Sequence, residues 1–248
     1  ELDQCQIYGV ELDSISGRIA QQLYQKSTIA VQGYEKTNIP DNFFDIAVGN
    51  VPFGEFKLND RRYDNNKFLI HDYFFAKTLD KVRPGGVIAF VTSKGTMDKE
   101  NNYVRKYLSQ RAELIGAIRL PDNTFKSNAG TEVTSDIIFL KKRDKITDIE
   151  EDWVNLDTAE NGIRMNKYFV DNRHMIMGQM VMESARFGGE QSACKMIEGS
   201  DLDYMLSRAI ENIQAEIEEY DLDEVIEEEE KSIPANPTVK NYSYTVVD

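Results

Sequence analysis

Between residues 6 and 145 the hydrophobic period switches repeatedly from two to nearly four, and this alternation restricts the fold more than any other feature. Ile7-Tyr8-Gly9-Val10-Glu11-Leu12 reads as a short buried strand. Ser14 can cap a helix from Ile15 to about Lys26, with Ile15, Ile19 and Leu23 on one stripe, and Thr28-Ile29-Ala30-Val31 reads as the next strand. Phe44 to Val48 is another, and residues 67–82 have helical spacing, with Ile70, Phe74 and Ala76-Lys77-Thr78-Leu79 on the apolar face. Arg83-Pro84-Gly85-Gly86 stops that helix, and Val87-Ile88-Ala89-Phe90-Val91 is apolar at every position, the mark of a strand buried on both faces. A helix over 99–110 and strands over 113–119 and 135–141 complete the set. Strands that alternate with helices predict the α/β class, with a mainly parallel sheet carrying helices on both faces.

Past Lys145 the alternation weakens. Residues 146–200 read as a small extension whose Met175, Met177, Met180 and Met182 are gap-filling core rather than a binding surface. Residues 201–248 read as an acidic amphipathic helix, with Leu202, Met205, Leu206, Ile210, Ile213 and Ile217 on one face, then a solvated Glu227–Glu230 run and a flexible tail holding Pro234 and Pro237. Residues 1–145 are thus the first unit. The net charge of -14 belongs to the later part: residues 1–145 carry 21 Lys and Arg against 19 Asp and Glu, whereas 146–248 carry 8 against 24. The first unit is therefore permissive toward a polyanion without a strongly attracting stripe, since its basic clusters are only Arg61-Arg62, Arg105-Lys106 and Lys141-Lys142-Arg143. No apolar run approaches the roughly 18 residues of a membrane span, so no membrane role is expected. Cys5 and Cys194 lack the spacing of a zinc site or a disulfide framework, so no metal is expected and a reducing cytoplasm fits. The chain opens on Glu1 without a signal-peptide pattern or an initiator Met, which reads as a segment of a larger protein.

One loop concentrates chemistry. Phe44-Asp45-Ile46-Ala47-Val48-Gly49 runs into Asn50-Val51-Pro52-Phe53 and Gly54, at the carboxyl end of a strand, where open α/β sheets place ligands. The Asn50 side-chain oxygen and the Val51 carbonyl can both accept hydrogen bonds from an amino group. Pro52 stiffens the loop, Phe53 offers a face for a flat ring, and Gly49 and Gly54 permit close backbone approach. His71 beside Asp72 reads as structural at a helix start, and neither forms a triad with a Ser or Cys.

This loop resembles the Asn-Pro-Pro-Tyr/Phe motif of S-adenosylmethionine-dependent N6-adenine DNA methyltransferases of the restriction type. The order of Gly9-Val10-Glu11-Leu12-Asp13, Gln32-Gly33-Tyr34-Glu35, His71-Asp72-Tyr73-Phe74-Phe75, Arg83-Pro84-Gly85-Gly86, Leu120-Pro121 with Phe125, and Gly130-Thr131 is similar too, over about 6–145. Gly49-Asn50-Val51-Pro52-Phe53-Gly54 with His71–Lys77, and the segments near Tyr168-Phe169-Val170 and Met177-Gly178, look like the methylase region of large helicase-plus-methylase proteins of conjugative elements and phages. The resemblance implies a Rossmann-like sheet and S-adenosylmethionine as cofactor, with Glu11 and Asp13 toward its ribose, Glu35 toward its adenine and Asn50 near its methyl group. It implies Asn50, Val51, Pro52 and Phe53 as the catalytic loop, a flipped adenine in DNA as substrate, and the rest of a larger polypeptide or a partner subunit alongside.

Two departures carry consequences. Val51 stands where the family usually has Pro, which keeps the carbonyl and loosens the backbone. The family's first strand and Gly-rich cofactor loop belong before Ile7, where only six residues stand, so the sheet is expected to lack a central strand unless another segment or partner completes it. Two other readings stay open: an inactive methyltransferase-like interaction module, and a protein-glutamine methyltransferase using a similar loop on an amide nitrogen.

Overall fold

The computed structural model describes residues 5–126, 130, 132–185 and 188–216. Strand β1 (Tyr8–Glu11) and strand β2 (Thr28–Val31) pair in parallel, joined by helix α1 (Ser14–Leu23). The helix starts one residue before the predicted position because Asp13, not Ser14, is the cap: its Oδ1 accepts from the Ile15 and Ser16 amides. Gly17 is the buried residue of α1, and a Cβ there would lie 2.7 Å from the Val31 side chain, so the missing side chain lets the helix approach β2. The stripe of Ile15, Ile19 and Leu23 faces outward instead of packing on the sheet.

The main sheet has the order β3-β4-β6-β5, made of β3 (Phe44–Asn50), β4 (Val82–Ser93), β5 (Ala112–Leu120) and β6 (Ser135–Lys142). β3 runs parallel to β4, as the alternation predicts, with Ile46 opposite Val87 and Asn50 opposite Val91. β6 enters between β4 and β5 antiparallel to both. The expectation of a mainly parallel sheet thus fails for this strand, which comes after the helix–strand alternation has ended. Arg83 to Gly86 lie within β4 rather than ahead of it: Phe44 pairs with Val82 and Ile46 already with Val87, so these residues form an irregularity, with Gly85 at φ +74°.

Helix α2 covers Ile70–Lys81 and begins later than the predicted 67–82, because Lys67 sits in the left-handed region at φ +54° after a tight turn over Asp64–Asn66. Of the helix predicted over 99–110 only α4 (Tyr103–Ser109) forms, and a separate short helix, α3 (Gly95–Asp98), precedes the predicted span. Phe75, Leu79, Ile88, Phe90, Ile118, Ile138 and Leu140 form the core between α2 and the sheet.

Beyond the main sheet follow β7 (Leu156–Thr158), β8 (Arg164–Asn166), α5 (Lys167–Asp171), β9 (Gln179–Ser184), β10 (Glu190–Lys195) and α6 (Leu202–Ile210). Trp153, Phe169, Met175, Met177, Met180 and Cys194 from this region join the same hydrophobic cluster, while Met182 is half exposed. The fully buried Arg119 ties the two together: it makes a two-pronged pair with Asp136 at 2.8 and 2.9 Å, reaches Asp98 at 2.9 Å, and lies 4.2 Å from the centre of the Phe169 ring. The acidic helix is shorter than its periodicity suggests. Asp201 caps α6, Leu202, Met205, Leu206 and Ile213 pack on the core, and residues 211–216 are not helical. Ile217, the Glu227–Glu230 run, Pro234, Pro237 and Thr131 lie outside the described residues.

The β-structure therefore comes in two pieces on the side of the loop that follows β3. Among the described residues β1 and β3 each end their sheet with an unpaired edge, and the strands start near each other, with the Tyr8 ring 5.2 and 5.4 Å from those of Phe43 and Phe44.

Candidate active site

The loop that leaves β3 is clamped at its root. Val51 is 3% exposed, and its amide donates to the Val91 carbonyl at 3.0 Å, continuing the β3–β4 ladder by one residue. Asn50, Pro52 and Phe53 are exposed around this fixed point. At the far end of the loop, the Ile70 amide donates to the Phe56 carbonyl at 2.9 Å and so joins the loop to the first turn of α2. A Cβ on Gly54 would lie 2.6 Å from the Phe56 ring and 3.7 Å from Ile70, so glycine allows the chain to lie against both.

The predicted cofactor residues stand at the carboxyl ends of the strands. Glu11 is the last residue of β1 and accepts from the Asp13 amide through Oε1 at 2.8 Å, leaving Oε2 for a ligand. Asp13 commits Oδ1 to capping α1, and those backbone hydrogen bonds hold its carboxyl below the usual carboxylate range. Glu35 lies in the tight turn Tyr34–Lys36 after β2, its carboxylate folded back over Gly33. That turn is fastened to α2: the Tyr34 hydroxyl meets Thr78 Oγ1 at 2.9 Å, and Lys77 Nζ donates to the Tyr34 carbonyl at 2.8 Å and to Asp60 at 3.2 Å. Burial pushes the Tyr34 phenol up to about 12 and lowers the Lys77 ammonium.

A polar group that sequence reasoning passed over lies behind the loop. His71 and Asp72, both buried in the first turn of α2, meet Lys99, whose Nζ is 2.8 Å from His71 Nε2 and 3.2 Å from Asp72 Oδ2. The pair His71-Asp72 was visible in sequence, but Lys99 lies beyond a whole strand, and no spacing rule connects them. Among the described residues no cluster of three or more His, Cys, Asp or Glu could hold a metal ion, and no helix is long and apolar enough to cross a membrane.

Donor-accepting groups at the ends of parallel strands, with a stiff Asn-Val-Pro-Phe loop on one of them, define a Rossmann-like α/β protein of the methyltransferase class. The model of the N-6 DNA methylase family matches residues 2–231, and the chain belongs to that family. Over 138 residues it is 35% identical to "Defense against restriction protein B" of Escherichia phage P1, a match covering 53% of this chain and 6% of that much longer protein. Among solved structures it resembles the M protein of the type I restriction enzyme EcoKI, at 21% identity and a TM-score of 0.45, over 55% of this chain and 31% of the other. A Listeria monocytogenes protein described as a class I S-adenosylmethionine-dependent methyltransferase matches at 20% identity and a TM-score of 0.47, over 59% and 47% of the two chains.

Proposed function

We propose that this chain is the catalytic region of a DNA N6-adenine methyltransferase that transfers a methyl group from S-adenosylmethionine to the exocyclic amine of a flipped adenine. The observation that carries the reading is the loop itself, with Val51 clamped to β4 while Asn50 and Phe53 face outward beside it. Asn50 Oδ1 and the Val51 carbonyl accept hydrogen bonds from the target amine and hold its lone pair in line. As the nitrogen attacks, positive charge develops there, and fixed carbonyl dipoles stabilise that state more than the neutral amine, so no strong base is needed. Phe53 stacks on the flipped base, a contact of about 1–3 kcal/mol by analogy with other base–aromatic contacts. The surplus proton leaves from the methylated nitrogen to solvent.

S-adenosylmethionine supplies the electrophilic methyl group. The residues present fit part of that molecule: Glu11 through Oε2 would accept from a ribose hydroxyl, Glu35, one strand further on, would serve its adenine, and Asn50 would stand near the methyl group. The wall between Glu11 and Asn50 is the gap between the β1 and β3 edges. We propose that a strand from a larger helicase-and-methylase polypeptide or from a partner subunit fills it, with DNA as the substrate partner. Membership of the family, the phage relative and the free strand edges support this reading. The same gap favours a second reading, a methyltransferase-like module without activity.

Asn50→Ala tests the first reading. In the completed protein it is expected to abolish methyl transfer to adenine-containing DNA while leaving S-adenosylmethionine binding, measured by calorimetry, largely intact. Near-normal transfer by this variant removes the loop from the mechanism. Absence of cofactor binding by the completed wild-type protein selects the inactive module.

A further inference from the structure

Between the Asn50–Phe53 loop and α2 the chain makes an excursion over residues 55–69, closed at its base by the Ile70 amide on the Phe56 carbonyl. Two of its three acids are committed to internal hydrogen bonds. Asp60 accepts from the Tyr73 hydroxyl at 2.8 Å and from Lys77 at 3.2 Å, and Asp64 turns Oδ1 to the Asp60 amide at 2.9 Å. Arg62 folds back onto Asp41 at 2.7 Å and Asp80 at 3.0 Å. Lys57, Arg61 and Lys67 are exposed and make no such contact, so the excursion presents three uncompensated cations against the single free acid Glu55.

Lys57 and Lys67 come from opposite ends of the excursion yet border one cleft of about 170 Å³, which Tyr63, Phe68 and Tyr73 also line. These three rings are buried, and Tyr63 meets Tyr73 edge to face at 5.4 Å, so the cleft has a packed frame. Two ammonium groups on such a frame suit a phosphate, which each can meet as a point charge. Arg61 adds a third cation at the turn from Asp60 to Asp64. Directly before Lys57 stands Phe56, an aromatic that is 54% exposed, and exposed rings interleaved with free cations fit a polyanion that carries flat bases better than an acidic peptide. The excursion leaves from the carboxyl end of β3, so this charge lies at the same edge of the sheet as Asn50. Lys26 and Lys145 are likewise exposed and unpaired, but they stand at the opposite edge, before β2 and after β6.

We propose that the excursion over residues 55–69 is a DNA-backbone docking wing for the catalytic loop: Lys57 and Lys67 hold one phosphate at their shared cleft, and Arg61 holds a second further along the strand. Contacts of this kind carry no base information and set the register of the duplex on the protein. The base to be flipped is thereby brought to Asn50 and Phe53, while the chemistry remains with the loop. The choice of DNA as the polyanion rests on the function proposed above, whereas the anion-docking role of the three cations does not.

The test is the salt dependence of DNA binding by the completed protein, followed through the fluorescence anisotropy of a short labelled duplex. Lys57→Gln, Arg61→Gln and Lys67→Gln together are expected to reduce the slope of log K against log salt by about two units. Binding should weaken about tenfold, alike for every sequence. In methyl transfer, KM for DNA is expected to rise about tenfold while kcat at saturating DNA stays within about threefold. The urea midpoint should not move, because all three side chains are exposed and unpaired. Lys26→Gln with Lys145→Gln, the same change at the opposite edge, is expected to keep the wild-type slope. A triple variant with the wild-type slope and KM overturns the proposal, as does an equal loss in the Lys26 and Lys145 variant. Tighter binding of polyglutamate than of DNA overturns it as well. Should Asn50→Ala remain active while the triple variant loses its salt slope, the reading of function fails and the docking wing stands.

Discussion

The two flanks of the main sheet solve the same problem differently. On the β5–β6 side, the residues from Trp153 to Ala209 cover the sheet, and even the charged Arg119 is enclosed by Asp98, Asp136 and Phe169. On the β3 side, Val48 is 74% exposed, Leu12 76% and Leu23 70%, beside the unpaired edges of β1 and β3. Both flanks are rich in apolar residues at the spacing of buried elements. One has its complement within the described chain and the other does not, which teaches that apolar periodicity marks a surface meant to be covered without naming what covers it.

The widest contrast between the flanks is expected in thiol reactivity. Burial pushes the Cys194 thiol up to about 12, so at pH 8 its thiolate fraction is about 10⁻⁴. Cys5 is exposed on the open flank. Alkylation of the native chain at pH 8, mapped by mass spectrometry, should modify Cys5 and spare Cys194, and because the Cys194 pKa is raised, its protection should persist until the medium approaches that value. Rapid labelling of both would show that the closed flank opens readily.

Next in size is Arg119→Ala, which leaves Asp136 buried without its partner and is expected to cost about 3–5 kcal/mol in urea unfolding. A loss under 1 kcal/mol would mean that the closed flank is held by its apolar contacts alone. Gly17→Leu, on the open flank, forces a side chain into the 2.7 Å approach to Val31 and is expected to cost about 1–3 kcal/mol. No loss would show that α1 is free to shift because nothing covers its other side. The smallest effect is predicted for Val48→Lys, within about 0.5 kcal/mol for this chain alone, because the side chain is already in water. The same change in the completed protein should weaken assembly and methyl transfer together, and equal tolerance in both settings would remove the need for a covering strand.

Much of the closed flank was legible in advance. Val87 to Val91 had to be a strand because no position in it is polar, although only Ile88 and Phe90 on one face are buried while Val87, Ala89 and Val91 on the other are half-buried, and strands 113–119 and 135–141 emerged within one residue at each end, since their apolar runs are bounded by turns. The reversed entry of β6 was not legible: hydrophobic period reports a strand and its burial but carries no sense of direction. Lys67 interrupts the predicted helix through its backbone angle, which its side chain does not advertise. The apolar stripe on α1 was legible but which face meets β2 was not, because Gly17, having no side chain to register in a hydrophobic pattern, decides it. The loop from Asn50 to Phe53 was readable because its residue types are local and contiguous.

Sequence alone therefore settled what depends on neighbours a few residues apart: the α/β class, the strands and the family to which they belong. Tertiary structure alone decided what depends on residues distant along the chain and close in space, namely the Arg119 cluster, the open edges of β1 and β3 among the described residues, and the meeting of Lys99 with His71 and Asp72. Local signals arise from backbone periodicity, which any stretch displays by itself. Buried charge and hydrogen-bond partners are chosen by the packing of whole elements, and the chain order leaves no trace of that choice.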